Sequence, residues 1–296
     1  MERLAALGDQ RRVWGVCMAE LRYLKRLYAT STRRGYLSAY RAAVQEQFGD
    51  EHPALGFLKL SRYDESAVET GEARRISEQL NNLVEIDADE LVRAAVRLLG
   101  GTEYAIATGL LLLTGRRPVE ILNTGALAPS QARNMVKFSG QAKTRGAASA
   151  RTEPYDIPVL AKPAMVLGAF EKLRSALDKS DPDRGRCPGR GARRGDYLSY
   201  QAARNFADKQ GNPARPKDLR AMYAAICYSR FCPRKVSLNA FYSYILGHSE
   251  LDFGTGLSYL RYYVAGKRGE AVAAEKVAMA GYLEGLKLKS GIRREF

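Results

Sequence analysis

Apolar residues recur at every third or fourth position between Arg11 and Tyr28, at Val13, Val16, Cys17, Leu21, Leu24 and Leu27. That spacing predicts a helix with one buried face. Thr30, Ser31 and Thr32 offer side-chain oxygens that can cap a second helix through Tyr36, Tyr40 and Val44. The periodicity lapses between Glu72 and Asp87, where a linker or domain boundary is expected. Asp87-Ala-Asp89 then caps a helix through Leu91, Val92, Ala95, Val96 and Leu99, which Gly100-Gly101 ends. Another helix is predicted from Glu103 to Leu113. Gly115 breaks it, and Pro118 suits the first turn of the next, Val119 to Leu122.

The period then changes from that of a helix to that of a strand. Met135 to Phe138 alternates, and Tyr155 to Val159 reads as its partner across the small, polar, basic stretch Ser139 to Gly146. A small antiparallel sheet with a basic tip is therefore expected. Helices resume at Pro163 to Leu177. Ser180 to Gly195, broken by Pro182, Gly185, Pro188, Gly189 and Gly191, reads as a loop carrying Arg184, Arg186, Arg190, Arg193 and Arg194. It fits either a solvated insert or a segment that contacts a polyanion. From Pro216 onward the chain reads as helical again, to a last helix at Val272 to Leu288. The pattern as a whole predicts a mainly α fold with a small antiparallel β-sheet, in two domains: helical residues 1–85 and a larger unit, 86–296.

Composition narrows the function. The chain has 296 residues, 46% of them hydrophobic, enough for two packed cores. No apolar run is long enough to span a bilayer, and Met1-Glu-Arg-Leu does not open a signal peptide, so a cytoplasmic protein with no membrane partner is expected. Cys17, Cys187, Cys227 and Cys232 lack the paired spacing of a metal site or a disulfide framework. His52 and His248 are the only histidines, too few for a multi-histidine metal centre. No phosphate-binding glycine loop and no metal-spaced acidic cluster stands out, so no cofactor and no metal are expected. The net charge of +15 and a pI of about 9.7 point to a polyanionic partner, with nucleic acid the leading candidate. Charge is nearly balanced up to Ile86 and the excess lies beyond it. Even so, Arg33 and Arg34 interleave with Tyr28, Tyr36 and Tyr40, as in a helical domain that clasps duplex phosphates.

A basic protein that works on DNA without metal carboxylates can use covalent catalysis, with arginine and lysine neutralising the charge on the phosphate. Four segments carry suitable groups. Thr114-Gly-Arg-Arg-Pro-Val-Glu120 presents Arg116 and Arg117 after a glycine turn, with Glu120 three residues on to orient Arg117. Phe138-Ser-Gly-Gln-Ala-Lys-Thr-Arg-Gly146 places Lys143 and Arg145 in a turn, where a lysine can hand a proton to a leaving oxygen. Lys217 and Arg220 are one helical turn apart. Leu246-Gly-His248 is followed, eleven residues after the histidine, by Tyr259.

In that order, the four segments resemble the catalytic domain of the tyrosine recombinases. Thr114, Gly115, Arg117 and Glu120 match the family's T-G-x-R-x-x-E pattern, Lys217 to Arg220 its H-x-x-R box, and Leu246 to His248 its L-G-H. Lysine in place of the first histidine departs from the common pattern. FSGQAKTRG, the TGRR variant and the K-D-x-R box are more narrowly similar to the protelomerases, or hairpin telomere resolvases, over roughly Asp87 to Val264.

The resemblance implies a tyrosine-recombinase-like catalytic domain preceded by a helical core-binding domain. It further implies that Arg117 and Arg220 clamp the phosphate, Lys143 protonates the leaving oxygen, His248 assists, and Tyr259 attacks to give a 3′-phosphotyrosine. Arg116, Arg145, Lys217, Arg33 and Arg34 would contact DNA. The implied substrate is double-stranded DNA with an inverted repeat, bound by a homodimer at the nucleoid and closed into hairpin ends. Strand exchange between two sites by a conventional integrase is the alternative. Tyr262 lies close enough to Tyr259 to remain a second candidate nucleophile.

Overall fold

The computed structural model describes residues 10–142, 153–177, 193–233, 235–247 and 259–266. The chain is mainly helical with a small antiparallel sheet, and its contacts divide it between Arg75 and Ile76 into two compact units. The sequence pattern had placed the division at 85/86.

In the first unit, helices α1 (Gln10–Leu27), α2 (Thr30–Phe48) and α3 (Ala54–Phe57) enclose a core of Val13, Cys17, Leu24, Leu37, Val44, Ala54 and Leu58. Val13, Cys17, Leu24 and Val44 are among the positions that the spacing predicts, whereas Leu27 and Tyr36, expected on the same faces, are exposed. Helix α4 (Arg62–Asn81) runs through most of the expected linker. Its residues are strong helix formers, most of them charged, such as Glu72, Ala73, Arg74 and Glu78, whose propensity sustains a helix where an apolar stripe is weak.

The second unit opens with strand β1 (Val84–Ile86) and helix α5 (Ala88–Leu98), capped by Asp87, whose carboxylate accepts from the backbone N–H groups of Asp89 and Glu90. Helix α6 (Glu103–Thr114) is buried on nearly every face, and α5, α7 (Pro163–Ala176), α8 (Arg193–Asn205) and α9 (Pro216–Phe231) pack around it. Its all-round apolar sequence, Ala-Ile-Ala-Thr-Gly-Leu-Leu-Leu-Leu, is what a central helix requires.

Strands β2 (Ala126–Pro129), β3 (Met135–Ser139) and β4 (Tyr155–Pro158) form the antiparallel sheet in sequence order, with Val136 opposite Ile157 and Phe138 opposite Tyr155. The β3–β4 pair is the one read from alternation. Helix α10 (Leu238–Leu246) and strand β5 (Tyr262–Val264) follow α9. Strand β5 pairs in parallel with β1, Val84 opposite Tyr262. The last helix expected, Val272 to Leu288, lies outside the described residues, as does most of the arginine-rich stretch, where Arg193 already begins α8. Among the described residues no helix is long and apolar enough to cross a membrane, and no acidic, histidine or cysteine cluster could hold a metal ion. Cys17, Cys227 and Cys232 are buried free thiols, and Cys187 lies outside the described residues.

Gly115 ends α6 in the left-handed region, at φ 64°, and a methyl group built on it would fall on the Tyr223 ring. Gly115→Ala combines backbone strain with overpacking and is expected to destabilise the fold by about 2 kcal/mol or more. Thermal unfolding tests this, and a melting temperature equal to that of the parent chain would show that the position tolerates a side chain.

Candidate active site

Three loops of the second unit converge at the ends of α6, β3 and α10. Following Gly115, Arg116 turns inward and Arg117 lies at the start of a π-helical turn, Glu120–Thr124, where the sequence predicted ordinary helix over Val119 to Leu122. The amide of Gly125 closes that turn on the Glu120 carbonyl at 2.8 Å. A widened turn of this kind recurs at functional sites, because it displaces side chains from regular helical spacing.

Glu120 is fully buried and organises the site. Its carboxylate accepts from the Arg117 backbone N–H and from Arg117 Nη1, both at 2.7 Å, and from the Ala142 N–H at 3.1 Å. Arg117 Nη1 also donates to the Ala142 carbonyl at 3.1 Å, and Arg220 Nη1 lies 3.9 Å from the other Glu120 oxygen. Burial alone would push the Glu120 carboxyl up. The charges of Arg220, Arg116 and Arg117 outweigh it and hold the group below its usual 4.5. The i,i+3 pairing of Arg117 with Glu120 is thus as expected, and Glu120 also fixes the residue that precedes Lys143.

Arg220, on the first turns of α9, is buried. Nη1 donates to the Gly115 carbonyl and Nη2 to the Leu246 carbonyl at 2.7 Å. Its Nε is buried with no hydrogen-bond partner among the described residues. Lys217, one turn earlier, is exposed. Between them Asp218 accepts from both the backbone N–H and Nε of Arg215 at 3.0 Å, fixing the helix start.

Tyr259 lies against Arg220, whose Cζ is 5.4 Å from the ring centroid. Burial would raise the phenol's pKa, but the charges of Arg220 and Arg117 prevail and hold it below the usual 10.0. Tyr262 is different in kind. It is buried within strand β5 and pushed up to about 12, first by burial and then by Asp218.

Arg116 departs from its expected role. It is 1% exposed, and its guanidinium is used up inside the protein. Nε donates to the Thr114 carbonyl at 3.2 Å, Nη1 to the Tyr155 hydroxyl at 2.9 Å, and Nη2 to the Ile245 carbonyl, with Cζ 4.6 Å over the Phe138 ring. A DNA phosphate cannot reach it, so the reading of Arg116 as a DNA contact is corrected. Arg33 is nearly buried as well, on Thr30 Oγ1 at 2.7 Å and Asp64 at 3.2 Å, and is likewise not presented to a duplex. Arg34 is half-exposed and pairs with Glu72. Lys143, Arg145 and His248 lie outside the described residues.

The structure adds two residues to those expected. The Tyr155 hydroxyl donates to Gln141 Oε1 at 2.9 Å, and Gln141 Nε2 donates to the Gly247 carbonyl. Gly247 sits at φ 66°, where any side chain would collide with both groups. The only signal in the sequence was the glutamine within FSGQAKTRG, which marks a family without stating a contact.

Comparison with known proteins gives the chain a family. The profile of the family described as telomere resolvase ResT/TelK catalytic domain matches residues 82–262. Telomere resolvase ResT of Borreliella burgdorferi is 24% identical over 158 residues, 52% of this chain and 33% of that protein. The protelomerase of Yersinia phage PY54 is 27% identical over 238 residues, 71% of this chain and 37% of that one. The chain therefore spans only about a third of the length of the curated relatives it matches. Among solved structures, protelomerase TelA covalently complexed with substrate DNA is 26% identical with a TM-score of 0.78, covering 90% of this chain and 87% of that one. Protelomerase TelK complexed with substrate DNA has a TM-score of 0.58 at 20% identity, covering 87% and 59%.

Proposed function

The chain belongs to the telomere resolvase family, and from that premise we propose that it cleaves inverted-repeat duplex DNA through Tyr259 and rejoins the strands as closed hairpin ends. One observation carries the reading. Tyr259 is held against Arg220, in a cluster where three guanidinium groups surround a single carboxylate among the described residues. Such a cluster is short of negative charge. A scissile phosphate supplies it, and the pentavalent transition state carries more of it than the ground state does.

In the proposed reaction the Tyr259 oxygen forms a bond to phosphorus as the bond from phosphorus to the 5′ oxygen breaks. Arg117 and Arg220 bind the non-bridging oxygens. The phenolic proton passes to water, and does so readily because the same arginines stabilise the phenolate. Lys143 gives a proton to the leaving 5′ oxygen and His248 assists at the phosphate, roles that rest on the family resemblance. The phosphotyrosine conserves the energy of the broken linkage. The freed 5′ hydroxyl of the opposite strand then attacks it, releases Tyr259 and seals a hairpin.

Two protomers, one for each half of the palindrome, act together. The first unit, to Arg75, serves as the core-binding domain and the second, from Ile76, as the catalytic domain. Lys217, exposed to solvent, Arg34, half-exposed beside Glu72, and Arg145 contact the DNA backbone. The protein works at the nucleoid.

Incubation with inverted-repeat duplexes tests the proposal. Products that snap back to duplex after denaturation are expected. Strand exchange between two duplexes without hairpin ends would assign the same site to a conventional recombinase.

A further inference from the structure

Helices α6 and α10 both end at the site, and each ends in carbonyl groups that no intrahelical N–H can satisfy. Two arginines bridge these ends in parallel. Arg220 joins the Gly115 carbonyl to that of Leu246, and Arg116 joins the Thr114 carbonyl to that of Ile245. The next carbonyl, that of Gly247, takes Gln141, which Tyr155 connects back to Arg116. Three successive carbonyls at the negative end of α10 are thus occupied by two cations and one amide.

We propose that Arg116 is a positioning residue, acting through this frame to hold Arg220 where the phosphate needs it. The inference rests on the reading of the site as a DNA-cleaving centre. Arg116 cannot touch DNA, yet it spans the same two helix ends as Arg220, one residue earlier on each. Loosening it lets the carbonyls that orient Arg220 drift apart. The Tyr155 hydroxyl and the Gln141 amide extend the same frame to the base of the β3–β4 hairpin. Lysine at 116 keeps the charge but loses the planar fork that reaches three separate acceptors.

The test uses full-length protein and an inverted-repeat duplex selected from a random pool by the unaltered chain. The duplex is made with either an ordinary scissile phosphodiester or a methylphosphonate, whose missing charge lessens the need for an arginine clamp. The variants are Arg116→Lys and the milder Tyr155→Phe, which removes only the shared hydroxyl. On the phosphodiester, Arg116→Lys is expected to bind DNA as the parent does but to form the covalent adduct about 10- to 100-fold more slowly. On the methylphosphonate most of that deficit disappears, as it does for Arg220→Ala, and Tyr155→Phe shows the same pattern at smaller size. An equal loss on both substrates would overturn the inference in favour of a fold defect. Weakened binding with an unchanged adduct rate would overturn it in favour of a DNA contact. Failure of the unaltered chain to form any adduct would instead overturn the reading of the site itself.

Discussion

Tyr259→Phe is expected to bind inverted-repeat DNA as the parent does and to form no covalent adduct, a loss of at least about 1,000-fold in cleavage rate. The phenyl ring keeps its packing against Arg220, so the fold and the arginine cluster persist while the attacking oxygen is gone. Tyr262→Phe is expected to cleave at the parent rate. Its ring is fixed in strand β5 opposite Val84, and burial together with Asp218 makes its hydroxyl a poor source of phenolate. Denaturing gels of protein with a labelled duplex distinguish the two. An adduct that survives Tyr259→Phe and vanishes in Tyr262→Phe would transfer the nucleophile to the strand.

The second large effect belongs to Glu120, which never touches the substrate in the proposed reaction. Glu120→Gln keeps the shape and an acceptor for the Arg117 N–H but removes the one negative charge among three buried or half-buried guanidinium groups. Leaving buried cations without their partner is expected to destabilise the unit by about 3–5 kcal/mol. The effect depends on pH in a defined direction. The fold depresses the Glu120 carboxyl below its usual 4.5, so its contribution is complete above that value and is lost as pH falls through the lower folded value. The stability gap between parent and variant should therefore be constant near neutrality and close in acid below pH 4.5. Denaturant unfolding at several pH values measures it. A gap that widens in acid would show that Glu120 is not ionised in the fold. Because the same carboxylate orients Arg117, adduct formation should also slow by about 10- to 100-fold.

The parts of this architecture that sequence could express are those with local periodicity. Alternation at Met135 to Phe138 and Tyr155 to Val159 reports a strand pair because each residue's side is set by its immediate neighbours. The Arg117–Glu120 pair was legible for the same reason, since three residues along a helical turn bring two side chains together. Strands β1 and β5 were not legible. Each is three residues long, and each is defined by a partner far away in the chain. The family pattern singled out Arg117, but nothing local showed that Arg116 turns inward. Two adjacent arginines look alike, and only the approach of Ile245 and Tyr155 from distant segments shows that one is structural and the other faces the site. The second half of helix α4, from Glu72, was read as a linker because its charge obscures its periodicity, although its residues favour helix individually.

The pairing of β5 with β1 has a consequence for the order in which the protein becomes competent during its synthesis. Tyr263 reaches back to Glu85 across 178 residues, so the strand that follows Tyr259 finds its partner only after nearly all of the unit has left the ribosome. Arg117, Glu120 and Arg220 all precede Tyr259 in the chain, and the strand that follows the tyrosine is the one that closes this long-range pairing. In the proposed reaction the attacking group is thus the last of the named site residues to be synthesised.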